Sequence, residues 1–105
     1  MTAMPATPEP LTDAALDVLR ADLDGWRVAS TGLSQTFRFA DFRTAIAFLV
    51  RLAFEAEAMN HHPELENVYD RVTVRLRTHD AGDRVTALDA DLARRISACA
   101  DLFRS

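Results

Sequence analysis

Two adjacent histidines followed by a proline, His61-His62-Pro63, hold most of the chain's histidine; the third is His79. An unperturbed imidazole titrates near pH ~6.5, so both of its protonation states are available at neutral pH. A cluster of such groups suits proton transfer. Glu57 lies one helical turn before His61, and Asp89 lies beyond His79. Each also has an ordinary structural reading, Glu57 as a partly exposed helix carboxylate and Asp89 as part of a helix cap. From the residues alone, the histidine pair is an even choice between a polar helix end, favoured there by the helix dipole, and a proton-handling site. A three-histidine zinc site is the rival chemistry. It would need His61, His62 and His79 to converge on one ion, and the familiar i, i+4 histidine pair is missing. No serine or cysteine is placed as an obvious nucleophile.

The elements that would position these residues follow from pattern. The first eleven residues hold three of the four prolines, which predicts a flexible Pro-rich tail over 1–11 and a single domain over 12–105. Thr12 and Asp13 look like the start of a helix with the stripe Leu16, Leu19, Leu23, ended by Gly25. "WRVAS" and "LSQTFRF" flank Thr31-Gly32 and read as a β-hairpin. Asp41 is the expected cap of a second helix with Phe42, Ala45, Ile46, Leu49, Leu52, Ala53 and Ala56 in helical phase. That helix should run to about Met59, with Pro63 limiting any continuation. "LENVY" is a short extended piece. "RVTVRLRTH" alternates, with Val72, Val74 and Leu76 on one face and Arg71, Thr73, Arg75 and Arg77 on the other. By the same alternation His79 belongs with the arginines. Thr86 and Asp89 form a T-x-x-D capping box before a helix with Leu88, Leu92, Ile96, Ala100 and Phe103 on one stripe. The order implies an α+β fold, a small antiparallel sheet of about four strands with three helices packed on one face.

Composition narrows the function classes. The chain has 105 residues and a formal net charge of −4, with every basic residue an arginine, so a nucleic-acid surface is not expected. The single Cys99 forms no internal disulfide and gives no Cys-type metal spacing; it reads as a small core residue. No secretory leader or membrane span is expected, and a cytoplasmic location follows.

Taken together, Glu57, "AMN", His61-His62-Pro63, then Tyr69, His79 within "RTHD" and Asp89 within "VTALDADLA" resemble the pterin-4a-carbinolamine dehydratases, also called 4a-hydroxytetrahydrobiopterin dehydratases. "FRFADFRTAIAFLVRLAFEAE" and Gly25-Trp26 are also similar to that family, so the resemblance spans nearly all the chain after the tail. Two positions depart from the pattern: Leu65, where the family often has an aromatic, and the loop "DAGDRV", about one residue longer, with Asp83 and Arg84 where a glycine is common. The resemblance implies a hydro-lyase that removes water from a 4a-hydroxytetrahydropterin to give quinonoid dihydropterin, in support of tetrahydrobiopterin recycling. It implies no metal and no organic cofactor. His61 and His79 would transfer protons, His62 would bind and orient the pterin, and Glu57, Asp89 and Pro63 would support them. A homodimer or homotetramer is implied, assembled through the second helix and the sheet edges. Relatives of the fold also act as transcription-factor dimerisation partners or assembly factors, so a non-catalytic interaction protein is the alternative.

Overall fold

The computed structural model describes residues 8–104, and their order is the one the patterns imply. Helix α1 (Asp13–Asp22) is followed by strands β1 (Arg27–Ala29) and β2 (Gly32–Arg38), then helix α2 (Phe42–Met59). Strands β3 (Glu64–Val68) and β4 (Arg71–Leu76) form a second hairpin. A short 3₁₀ turn (His79–Ala81) and helix α3 (Ala87–Phe103) complete the chain. The strands make one antiparallel sheet in the order β1-β2-β4-β3. Because α2 separates β2 from the second hairpin, β4 returns to the middle of the sheet and β3 becomes an edge.

Alternation decides the two faces of the sheet. Leu33 pairs with Leu76 and Phe37 with Val72. These four residues, with Val28 and Val74, are buried beneath the helices. The opposite face carries Arg27, Thr36, Arg71, Thr73 and Arg75, and the Thr36 and Thr73 hydroxyls meet at 2.9 Å across the strands. All three helices lie on the apolar face, with α1 against β1, α2 against β4 and α3 against both α2 and β2. Phe48 of α2 fills the centre, its ring centroid 5.1 Å from that of Phe37 and 4.8 Å from that of Phe39. Each large side chain buried here contributes about 1.5–3 kcal/mol relative to exposure.

The caps form as read. Thr12 Oγ1 accepts from the Ala15 amide at 3.1 Å, and Asp41 accepts from the Thr44 amide and hydroxyl at 2.8 and 2.7 Å. Three local details differ from expectation. Helix α1 ends at Asp22, and Gly25 serves the turn that follows, at φ +84°, where a Cβ would meet Gln35 Nε2 at 2.6 Å. The first hairpin turns at Ser30-Thr31, because Ala29 already pairs with Gly32. The core stripe of α2 runs through Ala45, Phe48, Leu52 and Ala56. Phe42 and Ala53 are exposed instead. Helix α2 is apolar on two sides, so periodicity alone could not choose which side the sheet would cover.

Residues 1–7 of the expected tail lie outside the described residues. From there the chain is seated: Pro10 bridges to Thr86, and the Leu11 amide donates to the Val85 carbonyl at 2.9 Å. Among the described residues no helix is long and apolar enough to cross a membrane.

Candidate active site

The histidine pair lies where α2 is forced to stop. Asn60 adopts a left-handed conformation (φ 50°, ψ 41°), and the His61 amide donates back to the Ala56 carbonyl at 3.0 Å. Asparagine tolerates this region better than most residues because its short polar side chain bonds locally. The helix therefore ends at Met59, four residues before Pro63. The reversal turns His61 toward the core, where the residue keeps 9% exposure.

Inside, His61 Nε2 meets Asp89 Oδ1 at 2.6 Å. Asp89 has no exposed surface. Its second oxygen, Oδ2, accepts from the Thr86 amide at 2.9 Å and from the Thr78 hydroxyl at 2.8 Å. The Thr78 and Thr86 hydroxyls lie 2.7 Å apart, and Thr86 Oγ1 also accepts from the Leu88 amide at 3.2 Å. A carboxylate is acceptor-only, and here donors surround it. It also sits in the first turn of α3, where the helix dipole favours negative charge. Among the described residues the only buried side-chain polar atom without a partner is Gln35 Oε1, so this network is satisfied throughout.

The other two histidines are on the surface. His62 Nε2 lies 2.8 Å from Glu57 Oε1, with both side chains mostly exposed. His79 begins the 3₁₀ turn, and its Nδ1 lies 3.1 Å from Asp83 Oδ1, with 92% of the histidine side chain exposed. Its outward direction is the one that strand alternation implies. The strands flanking the site are tied together by Arg77 and Glu64, which pair at 2.8 Å. Arg77 precedes His79 by two residues, and Glu64 follows His62 by two.

The geometry brings Asp89 to His61 and Glu57 to His62. His79 enters through its neighbour, since Thr78 bonds Asp89 while His79 turns outward. Pro63 is half-buried and carries no side-chain hydrogen bond. The three histidines face three different carboxylates rather than one point, and among the described residues no group of three or more candidate ligands is arranged to hold a metal ion. Tyr69 sits in the β3–β4 turn at φ 50°, at the far end of β3 from His62, and is exposed. Leu65 is also exposed. Two residues of the site were not anticipated. Asp83 takes a positive φ (59°) where a glycine is common in the resembling family, and it spends its side chain on His79. Thr78 is buried and bonded to both Thr86 and Asp89. Its signal was available: residues 72, 74, 76 and 78 share one side of the alternation, so a hydroxyl at 78 falls on the core side.

The chain is similar over most of its length to known proteins. The family model described as Pterin 4 alpha carbinolamine dehydratase matches residues 9–99. A curated relative from Opitutus terrae that carries the family's name is 58% identical over 88 residues, covering 84% of this chain and 91% of the relative. A second, from Novosphingobium aromaticivorans, is 54% identical over 86 residues, covering 80% and 88%. Among solved structures, one described as a transcriptional coactivator/pterin dehydratase from Brucella melitensis superposes with a TM-score of 0.82 at 38% identity, covering 88% of this chain and 99% of its own.

Proposed function

The chain belongs to the pterin 4 alpha carbinolamine dehydratase family, and from that premise we propose that it eliminates water from a 4a-hydroxytetrahydropterin to give quinonoid dihydropterin. The reaction breaks the C4a–O bond. The N5 lone pair expels the hydroxyl, which leaves as water after receiving a proton, and the N5 proton departs to a base. No redox change occurs, so no electron acceptor is required. His61 and His79 are the proposed proton-transfer residues, and His62 is proposed to bind and orient the pterin. Glu57 and Asp89 support His62 and His61 respectively. Each well-placed acid–base group contributes about 10²–10⁴-fold.

The observation that carries this reading is the His61–Asp89 pair. A histidine at the rim of the core, backed by a fully buried carboxylate that is itself held by two further donors, is an arrangement that orients an imidazole for proton transfer. Purified protein should accelerate dehydration of a synthetic 4a-hydroxytetrahydropterin, followed spectrophotometrically with a metal chelator present. An unchanged rate in the His61→Ala, His79→Ala double variant would overturn the proposal.

A second reading rests on the outer side of α2. Phe42, Val50 and Phe54 are about half or more exposed there, more apolar surface than a lone helix face usually shows to water. A second copy of the chain is the proposed occupant, giving a homodimer or homotetramer. A non-catalytic role as an interaction partner would use the same face. Light scattering on the wild type and on Phe54→Glu separates the cases. Self-association lost in the variant supports assembly. A monomeric wild type with no dehydratase activity that binds a protein partner stoichiometrically supports the interaction role.

A further inference from the structure

We infer that Thr78 is a positioning residue: through Asp89 it holds His61 with its ring proton on Nε2 and leaves Nδ1 as the atom that moves a proton. The inference rests on the dehydratase reading for the reaction, but its structural half stands on the hydrogen bonds alone.

The direction of every bond in the buried network can be assigned. Two donors are fixed, because backbone amides only donate: Leu88 N–H to Thr86 Oγ1, and Thr86 N–H to Asp89 Oδ2. Thr78 Oγ1 donates to Asp89 Oδ2, so its single proton is committed there. The 2.7 Å contact between the two hydroxyls therefore requires Thr86 to donate to Thr78. The chain runs one way, from Leu88 N–H through Thr86 and Thr78 to the carboxylate, and each hydroxyl gives one bond and accepts one. Asp89 receives only donors on Oδ2, which leaves no partner for a carboxyl proton on that oxygen. As an ionised, acceptor-only carboxylate, Asp89 makes the remaining 2.6 Å contact, from Oδ1 to His61, with Nε2 as the donor. His61 Nδ1 has no hydrogen-bond partner among the described residues and does not number among the buried orphan atoms, so it faces accessible space.

Thr78 does this without being essential to the local backbone. Its amide donates to the Arg84 carbonyl at 2.9 Å, and its carbonyl accepts from the Ala81 amide at 3.1 Å. Both bonds survive a change of side chain. Valine replaces the hydroxyl by a methyl of similar shape, leaving the Asp89 carboxylate one anchor, the Thr86 amide, and freedom to rotate about Cβ–Cγ. Thr78 also precedes His79, so one hydroxyl ties the segment bearing His79 to the carboxylate that holds His61.

The test combines tautomer and kinetics. In ¹⁵N-histidine NMR of the wild type at a pH where the ring is neutral, His61 should show a protonated Nε2 and an unprotonated Nδ1. A protonated Nδ1 would overturn the inference. Thr78→Val should populate both tautomers and lower kcat about 10- to 100-fold, as loss of reactive-group positioning does, with KM within about twofold. Thr78→Ser should restore both. A Thr78→Val enzyme with wild-type kcat and a wild-type tautomer would sink the inference. Should Thr78→Val fail to fold, Asp89→Asn gives an independent reading. Its amide oxygen would accept from Thr86 and Thr78, its NH₂ would face Nε2, and the His61 proton should move to Nδ1; an unmoved proton counts against the inference. A wild type that shows the Nε2–H tautomer but never dehydrates the pterin refutes the proposed reaction alone, and the Thr78→Val tautomer shift still decides the positioning claim.

Discussion

His61 and His62 are neighbours in sequence with opposite surroundings. His61 reaches a fully buried carboxylate 28 residues away, which Thr78 and Thr86 hold from its far side. His62 reaches a surface carboxylate five residues back on the same helix. The first contact joins α2, the end of β4 and α3, and it exists only when the domain is folded. The second needs little more than the last turn of α2. Identical side chains therefore differ in what they can do: the buried one has a fixed tautomer and direction, and the exposed one has reach. A proton-transfer residue needs the former, and a residue that adapts to a bound ring can use the latter.

The contrast is broken most directly by removing each imidazole. His61→Ala should lower kcat for dehydration by about 10²–10⁴-fold, whereas His62→Ala should act mainly on KM. Steady-state kinetics with equal kcat losses for the two would erase the distinction. The carboxylates come next. Asp89→Ala leaves the Thr86 amide, the Thr78 hydroxyl and the His61 ring without their acceptor, and should cost about 3–5 kcal/mol in urea denaturation. Glu57→Ala, which removes an exposed pair, should stay within about 0.5 kcal/mol. A Glu57 variant as unstable as the Asp89 variant would show that exposure is a poor guide here.

Asp83 sharpens the comparison at a third histidine. Asp83→Gly removes the partner of His79 but relieves a positive φ, and these effects should nearly cancel, leaving stability within about 1 kcal/mol of the wild type. The smallest effect concerns Asp41. The Thr44 hydroxyl and amide hold its carboxyl below the usual carboxylate range. A folded-state value below the unfolded one adds stability above the unfolded pKa, near ~3.9, and that stability is lost as pH falls through the folded value. Asp41→Asn should thus be slightly less stable than the wild type at neutral pH, with the gap closing in strong acid when the two acid-denaturation curves are overlaid.

What was legible in the sequence divides along the same line. Local patterns carried the element order, the Thr12 and Asp41 caps, the Thr86/Asp89 box and the polar side of β4, because each depends on residues within a few positions of one another. The core face on α2 was legible in part, through Ala45, Leu52 and Ala56; its centre was not, since Phe42, Val50 and Phe54 are as apolar as Phe48 and only tertiary packing separates them. The second use of Asp89 was hidden for a related reason. Its capping role fully explained the residue, and the free oxygen that meets His61 has no sequence-local signature. Asp83 stood out as a residue where a glycine is common, but its bond to His79 was not foreseen, because a non-glycine residue at positive φ leaves no periodic trace.

The reversal at Asn60 has a consequence in angle rather than distance. On a continuing α-helix, successive side chains are fixed about 100° apart around the axis, so two neighbours would share one cylinder surface and neither could leave it. The single left-handed residue removes that phase relation. Residue 61 is then free to dive beneath the end of its own helix while residue 62 stays above it. A residue that merely prolonged the helix at position 60 would leave both imidazoles intact and still dismantle the site, by returning them to the same periodic clock.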